Sequence, residues 1–88
     1  MIYLITYDLR VPGRDYTSLY NAIKGYNDWQ HPLESTWLIS NDSQANDIYT
    51  YLSQFIDKND RLLIIEVNPA NKQGWLAKSF WDWVNSKQ

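Results

Sequence analysis

Residues 2–26 read IYLITYDLRVPGRDYTSLYNAIKGY and join a strand pattern to a helix pattern across a short break. Residues 2–9 are rich in Ile, Leu and Tyr and are followed at 11–13 by the turn-forming run Val-Pro-Gly, so they predict a strand. Apolar residues stand on both faces of this strand. That pattern is typical of a strand in the interior of a sheet.

The helix pattern begins after Asp15, whose carboxylate can cap a first turn, and it ends near Gly25. Its apolar residues share the i, i+3, i+4, i+7 spacing of one helix face. These residues are Tyr16, Leu19, Tyr20, Ile23 and Tyr26. A strand that leads directly into a helix predicts a small domain that combines both kinds of element.

In the middle of the chain, the residue pattern predicts a strand and, after it, a second helix. Residues 34–40 predict a strand, and residues 28–31 could form a short edge strand before it, because Pro32 cannot donate to a ladder and marks a turn or a bulge. The second helix is predicted to begin at Asp42 or Ser43. Its apolar stripe consists of Ala45, Ile48, Tyr49, Leu52, Phe55 and Ile56.

Two more elements complete the pattern. Residues 61–67 form a nearly continuous Leu and Ile run after a polar turn, which is typical of a buried strand. Residues 75–86 predict an amphipathic helix. The apolar side of this helix carries Leu76, Phe80, Trp83 and Val84.

The element order predicts the fold of residues 1–88 as a single α+β domain. The order β-α-β-β-α-β followed by a helix suits a ferredoxin-like sandwich with a four-stranded antiparallel sheet. Residues 2–9 and 34–40 would be the central strands. The first two helices would cover one face of the sheet and leave the other face open to a partner or a second copy of the chain.

Composition and charge limit the classes of function. Hydrophobic residues make up 44% of the chain and charged residues 20%, unlike a disordered chain. The absence of Cys excludes disulfides, thiolate zinc sites and a Cys nucleophile, so any metal would be held by oxygen. A formal net charge of −2 gives no global positive field for phosphates. Without a signal-peptide pattern or an apolar run of about 20 residues, we expect a cytoplasmic protein with no membrane contact.

The size of the domain favours a homodimer. A chain of this length buries only about 60–65% of its unfolded surface, so its core is thin. It carries five Trp, and those at positions 75, 81 and 83 cannot all be buried by one helix face. A spare indole could pack on the domain, seal a dimer, stack on a base or contact another protein.

Asp8 is the first candidate for a functional residue. A carboxylate at the end of a central strand costs several kcal/mol of desolvation unless it is paired, hydrated or metal-bound. Asp8 could instead cap the following loop or pair with Arg10 or Arg14. These two arginines could grip phosphates from their loop, or they could be solvated loop charges.

Three other polar residues are candidates for a functional site. His31, the only histidine, lies beside Pro32 in a turn-like segment and is expected to be an exposed, solvated imidazole. Ser35 and Thr36 could contact phosphate, although hydroxyls on a strand more often face solvent or bond locally.

Two short motifs carry a family resemblance. The first strand ends in Tyr7 and Asp8, and a later strand carries Ser35-Thr36-Trp37. Through these motifs, residues 2–67 resemble the CRISPR-associated protein 2 superfamily, and more closely the small SinR-like proteins grouped with it. The resemblance implies a ferredoxin-like fold, a homodimer and, in several members, a metal-dependent nuclease that uses the Asp ending the first strand. Other members bind DNA without cutting it.

On this resemblance, Asp8 is the predicted catalytic and Mg²⁺-binding residue, and Tyr7, Arg10, Arg14 and Ser35 are the predicted nucleic-acid contacts. One carboxylate makes a poor magnesium site, but a two-fold dimer would pair two copies of Asp8. The chain also departs from the family. The loop after Asp8 lacks the dense Arg and Lys of many relatives, the net charge is negative, and a Trp-rich helix replaces the usual C-terminal strand.

Two functional classes are therefore expected from the sequence. The first is a nucleic-acid-binding homodimer, extending to a Mg²⁺-dependent endoribonuclease or endodeoxyribonuclease. The alternative is a non-catalytic module that binds another protein through its Trp-rich C-terminal helix. Metal-dependent cleavage that is lost in Asp8→Asn would separate the two classes.

Overall fold

The apolar runs of the sequence form one antiparallel sheet in the computed structural model, which describes residues 1–87. Its strands, in sequence order, are β1 (Ile2–Asp8), β2 (Trp29–Leu33), β3 (Thr36–Ser40) and β4 (Arg61–Val67). Across the sheet the order is β2-β3-β1-β4, and every neighbouring pair is antiparallel. The predicted α+β class, the four-stranded antiparallel sheet and the two central strands are confirmed.

The helices are α1 (Thr17–Lys24), α2 (Ala45–Leu52) and α3 (Lys78–Asn85), and a short 3₁₀ turn, Ser53–Phe55, follows α2. The carboxylate of Asp15 accepts the backbone N–H of Thr17 at 2.9 Å, but the N-cap position of α1 is Tyr16, so Asp15 orders the turn before the helix and is not its cap as predicted. The start of α2 is later than predicted from Asp42 or Ser43. Asn41 accepts the N–H of Ser43 at 2.8 Å and holds that segment as a turn.

One face of the sheet, which we call the first face, packs on α1 and α2. Alternate residues of β1 point toward these helices, as the two-residue period of a strand requires. The buried side chains of this layer are Tyr3, Ile5, Tyr7, Tyr16, Leu19, Ala22, Ile23, Trp37, Ile39, Ile48 and Leu52. They form the main core of the domain.

The opposite, second face is covered in part by α3, so the prediction that it stays open is wrong. Ile2 and Leu38 of the sheet pack there against Phe80 and Val84 of α3. The helix carries its own apolar stripe, which must be buried somewhere, and the segment that follows β4 brings it back across this face. The helix also begins later than predicted, at Lys78 rather than at residue 75.

The strand β4 has the predicted bounds, but it is not buried on both faces as its apolar run suggested. It lies at an edge of the sheet, and its second-face residues Leu63 and Ile65 are 52% and 48% exposed. Leu62 and Ile64 pack on the core of the first face. The helix α3 covers the part of the second face beside Ile2 and leaves the part around Leu63 and Ile65 open.

The predicted edge strand at residues 28–31 is present as β2, shifted to Trp29–Leu33. The pairing register of β2 with β3 shifts between Gln30 and Leu33, around Pro32, as expected for a residue that cannot donate to the ladder. In the described part of the chain, no helix has the length and apolar character needed to cross a membrane.

Candidate nucleic-acid interface

The predicted site residues gather where β1 finishes, a region that we call the Asp8 end of the sheet. Asp8 closes β1, and Arg61, which opens β4, lies directly opposite it in the ladder. The turn between β2 and β3 is at the same end, because the backbone N–H of Tyr7 donates to the carbonyl of Ser35 at 3.2 Å. Four residues from two strands and one turn, Tyr7, Asp8, Arg61 and Ser35, therefore share this end.

Asp8 pairs with Arg10, which is one of the alternatives that the sequence left open. The Nε of Arg10 donates to Oδ2 of Asp8 at 2.8 Å, and both side chains are exposed. Such a surface pair contributes only about 0–1 kcal/mol to stability. Its larger effect is orientation: Nε is engaged, and among the described residues none accepts a hydrogen bond from Nη1 or Nη2 of Arg10. The outer edge of this guanidinium is turned to solvent.

The loop that carries Arg10 is anchored by Asp60, the one charged side chain in the buried part of residues 1–87. Its carboxylate, 6% exposed, accepts the N–H of Arg10 at 2.6 Å, the N–H of Asp57 at 2.7 Å and the hydroxyl of Tyr16 at 2.8 Å. Burial alone would raise the pKa of Asp60, but these hydrogen bonds together hold it below its ordinary value. The loop before α1 and the turn before β4 are thus joined as one unit.

Arg14 lies in the same loop but does not contact Asp8. Its Nη1 is 3.5 Å from Oδ2 of Asp57, and its guanidinium lies over the ring of Tyr16 at 5.3 Å. Arg14 is therefore held against Tyr16 and Asp57, whose backbone N–H is bound by the same Asp60 that anchors Arg10.

Arg61 was missed by sequence reasoning. Its Nη1 donates to the carbonyl oxygens of Asn59 and Asp60, at 3.4 and 3.1 Å, which holds the guanidinium against the turn before β4. An open cleft of about 300 Å³ lies beside it. The cleft is lined by Thr6, Tyr7, Asp8, Arg61, Leu62 and Leu63. The signal that could have revealed Arg61 is the antiparallel pairing itself, which places the first residue of β4 against the last residue of β1.

Tyr7 and Ser35 occupy different depths at this end. Tyr7 is buried, accepts a hydrogen bond from Nε1 of Trp37 at 3.0 Å and donates to the carbonyl of Glu34 at 3.4 Å. Burial raises the pKa of the Tyr7 hydroxyl. Ser35 is exposed, and its carbonyl also accepts the Thr6 hydroxyl at 3.1 Å. Tyr7 thus supports the site from the core, and Ser35 lies at its surface.

His31 is exposed as predicted, but its ring is stacked rather than freely solvated. It lies on Trp37 with ring centroids 3.7 Å apart and planes 11° from parallel. Its Nε2 is 3.0 Å from the carbonyl oxygen of Glu34, so Nε2 carries the proton and donates. The Thr36 hydroxyl is 3.2 Å from the hydroxyl of Thr6, its partner on the neighbouring strand β1.

The fit of Asp8 to a magnesium ion can be judged from its donors. Mg²⁺ usually takes one or two carboxylates together with waters and substrate phosphates. Asp8 is exposed and supplies one carboxylate, of which Oδ2 is held by Arg10. Within residues 1–87, no group of three or more Asp, Glu or His is placed to hold a metal. A single chain therefore offers the smallest donor set that Mg²⁺ uses.

The sequence matches no protein-family model.

Proposed function

We propose that this chain is a nucleic-acid-binding homodimer whose phosphate contacts come from the Asp8 end of the sheet. The observation that carries the proposal is that all three arginines of the chain, Arg10, Arg14 and Arg61, lie there. Guanidinium groups suit the planar recognition of phosphate oxygens. In a chain with a net charge of −2, this concentration of arginine at one place is the main feature that favours an anionic partner.

Three of the carboxylates nearby make contacts within this end of the domain. Asp8 holds Arg10 through its Nε–H, and Asp60 accepts two backbone N–H groups and the Tyr16 hydroxyl. Asp57 accepts the N–H of Asn59 at 2.9 Å and lies 3.5 Å from Nη1 of Arg14. They still reduce the positive field at this end, so we expect modest affinity and a shallow dependence on salt.

We also propose that the topology is ferredoxin-like and that the resemblance to the CRISPR-associated protein 2 superfamily reflects a common fold. Read from the other edge, the sheet order is β4-β1-β3-β2, and residues 2–67 follow the element order β-α-β-β-α-β. Both features support the proposal. The helix α3 is an addition to that pattern.

We further propose that the protein could cleave the bound nucleic acid with the help of a metal ion. In a two-fold dimer, Asp8 from each chain would hold Mg²⁺, which would supply an activated water and neutralise charge on the phosphate. The chain's own contribution is to hold the phosphate with Arg10 and Arg61 beside Asp8. Oδ1 of Asp8 accepts no hydrogen bond from the described residues, so one oxygen is available while Oδ2 keeps Arg10 in place.

The alternative is a protein-interaction module that binds a partner through the tryptophans of the C-terminal helix, but two of these tryptophans already make contacts within the domain. Trp83 donates its indole N–H to Asp28 at 2.6 Å, and Trp81 packs against Phe80, so two indoles of the C-terminal helix are engaged within the domain. Trp75, which lies before α3, is 99% exposed and is the observation that still favours a protein partner. Absence of nucleic-acid binding would make this alternative the preferred function.

Binding of a labelled RNA or DNA oligonucleotide tests the main proposal. We expect Arg10→Ala combined with Arg61→Ala to weaken binding and to reduce the slope of log affinity against log salt by up to about two. The matched control is Lys72→Ala, because Lys72 follows the far end of β4 and donates to the carbonyl of Pro69. Equal losses in both variants, or no binding by the parent in low salt, would contradict the proposal.

A further inference from the structure

We propose that the outer face of the His31 ring is a stacking surface for one unpaired base of a single-stranded nucleic acid. The inference rests on the nucleic-acid-binding function proposed above and specifies the class of strand that the protein prefers. Base stacking on exposed aromatic rings is the usual way in which single strands are bound without sequence readout.

The geometry leaves one face of the imidazole for a ligand. The inner face lies parallel to Trp37, which is only 1% exposed, so the accessible part of His31 is its outer face and edge. The contact between Nε2 and the carbonyl of Glu34 fixes the rotation of the ring. Pro32 restricts the backbone beside it. A ring that is already ordered loses little conformational entropy when a base stacks on it.

The surface is backed by further aromatic rings. The ring of Tyr20 is stacked with that of Trp37, with centroids 6.4 Å apart and planes 20° from parallel. The ring of Trp29 also packs on Trp37, with centroids 5.3 Å apart. The amine of Lys24 is 5.7 Å from the ring of Trp29. A base on His31 would therefore extend an existing aromatic cluster, and a cation is present beside that cluster for a neighbouring phosphate.

The stacking surface lies at the same end of the sheet as the arginines. His31 and Tyr7 both contact the carbonyl oxygen of Glu34, and Tyr7 is followed directly by Asp8 and its partner Arg10. Because successive strand residues point to opposite faces, Tyr7 and His31 lie on the first face and Asp8 on the second. A flexible single strand that contacts Arg10 must therefore turn round this end of the sheet to place a base on His31. In a duplex the bases are already stacked and paired, and exposing one requires unpairing. For this reason we infer a preference for single strands.

The test compares two chains of about twelve nucleotides, one with bases and one fully abasic, which carry the same phosphates. The parent should bind the base-containing strand about five-fold or more tightly than the abasic one. In His31→Leu, which keeps Trp37 covered but has no flat ring, the two affinities should become nearly equal. His31→Phe, which restores a flat ring, should retain the preference.

The following results would contradict the stacking inference. If the parent binds both strands equally, the stacking inference is wrong while the proposed arginine contacts stand. If His31→Leu keeps the preference, or a folded His31→Phe loses it, the bases stack elsewhere or the ring face is not what they recognise, and the inference is also wrong. If the parent binds neither strand, the proposed function fails and this inference fails with it.

Discussion

The carboxylate of Asp8 pairs with Arg10, and the same group is the proposed ligand of a metal ion. It orients Arg10 through Oδ2, and in the proposed nuclease it would also hold a metal. Asparagine separates these uses, because its side-chain oxygen can still accept the Nε–H of Arg10 but carries no charge for Mg²⁺.

We therefore expect Asp8→Asn to abolish any Mg²⁺- or Mn²⁺-dependent cleavage while leaving binding in EDTA close to that of the parent. Asp8→Ala, which also removes the acceptor for Arg10, should weaken binding as well. Cleavage of labelled RNA and DNA and affinities in EDTA would be measured side by side. Absence of metal-dependent cleavage by the parent, together with a melting temperature lowered by several degrees in Asp8→Asn, would make Asp8 a structural residue.

The contacts that the sequence predicts best are those between residues close together in the chain. Asp8 with Arg10 and Asp15 with Thr17 are separated by two residues each, so short-range geometry suggested them. Arg61 and the stack of His31 on Trp37 depend on strand register and on a bulge around Pro32. The sequence does not specify register until the strand partners are known.

At the scale of elements, α3 is the part whose place was not predicted. Its apolar stripe was visible, but a stripe does not say which face of the sheet receives it. Polar contacts add to the apolar packing of this helix. Asp28, just before β2, accepts the indole N–H of Trp83 at 2.6 Å and the amine of Lys87 at 2.5 Å. The hydrogen bond from Lys87, followed by that from Trp83, holds the pKa of Asp28 below its ordinary value.

This pKa direction predicts how α3 responds to acid. A carboxyl whose pKa is lower in the folded state stabilises the fold above its unfolded pKa of about 3.9, and the effect is lost as the pH falls through the folded value. Asp28→Asn should therefore lower the melting temperature at pH 7 by several degrees, and by less at pH 3. Asp42→Asn, which changes a fully exposed carboxylate, is the matched control. An equal loss at both pH values would show that Asp28 acts through packing.

At the scale of the whole molecule, the open part of the second face supports the proposed homodimer. Leu63 and Ile65 are exposed on an edge strand, where natural proteins usually place charge or a covering element. A stable dimer needs about 1,200–2,000 Å² of total buried surface, and this region next to α3 offers an apolar centre for it.

We expect the parent to be a dimer at micromolar concentration and Leu63→Lys combined with Ile65→Lys to be a folded monomer. Leu33→Lys is the control, because Leu33 is 56% exposed on the opposite edge strand. Light scattering over a hundredfold dilution measures the mass. A monomer mass for the parent throughout that range would contradict the dimer, and dissociation by Leu33→Lys alone would place the interface at β2.

Asp60 has a consequence for the order in which the molecule folds. Its donors at Arg10 and Tyr16 lie 50 and 44 residues earlier in the chain. Contacts between such distant residues form only after a large loop has closed, so they appear late on the folding pathway. A nascent chain that has been made only through α2 holds β1, β2 and β3 but has no anchor for the arginine loop. We therefore expect Arg10 to take up its place only when β4 has docked, so that the proposed phosphate contacts form late in folding.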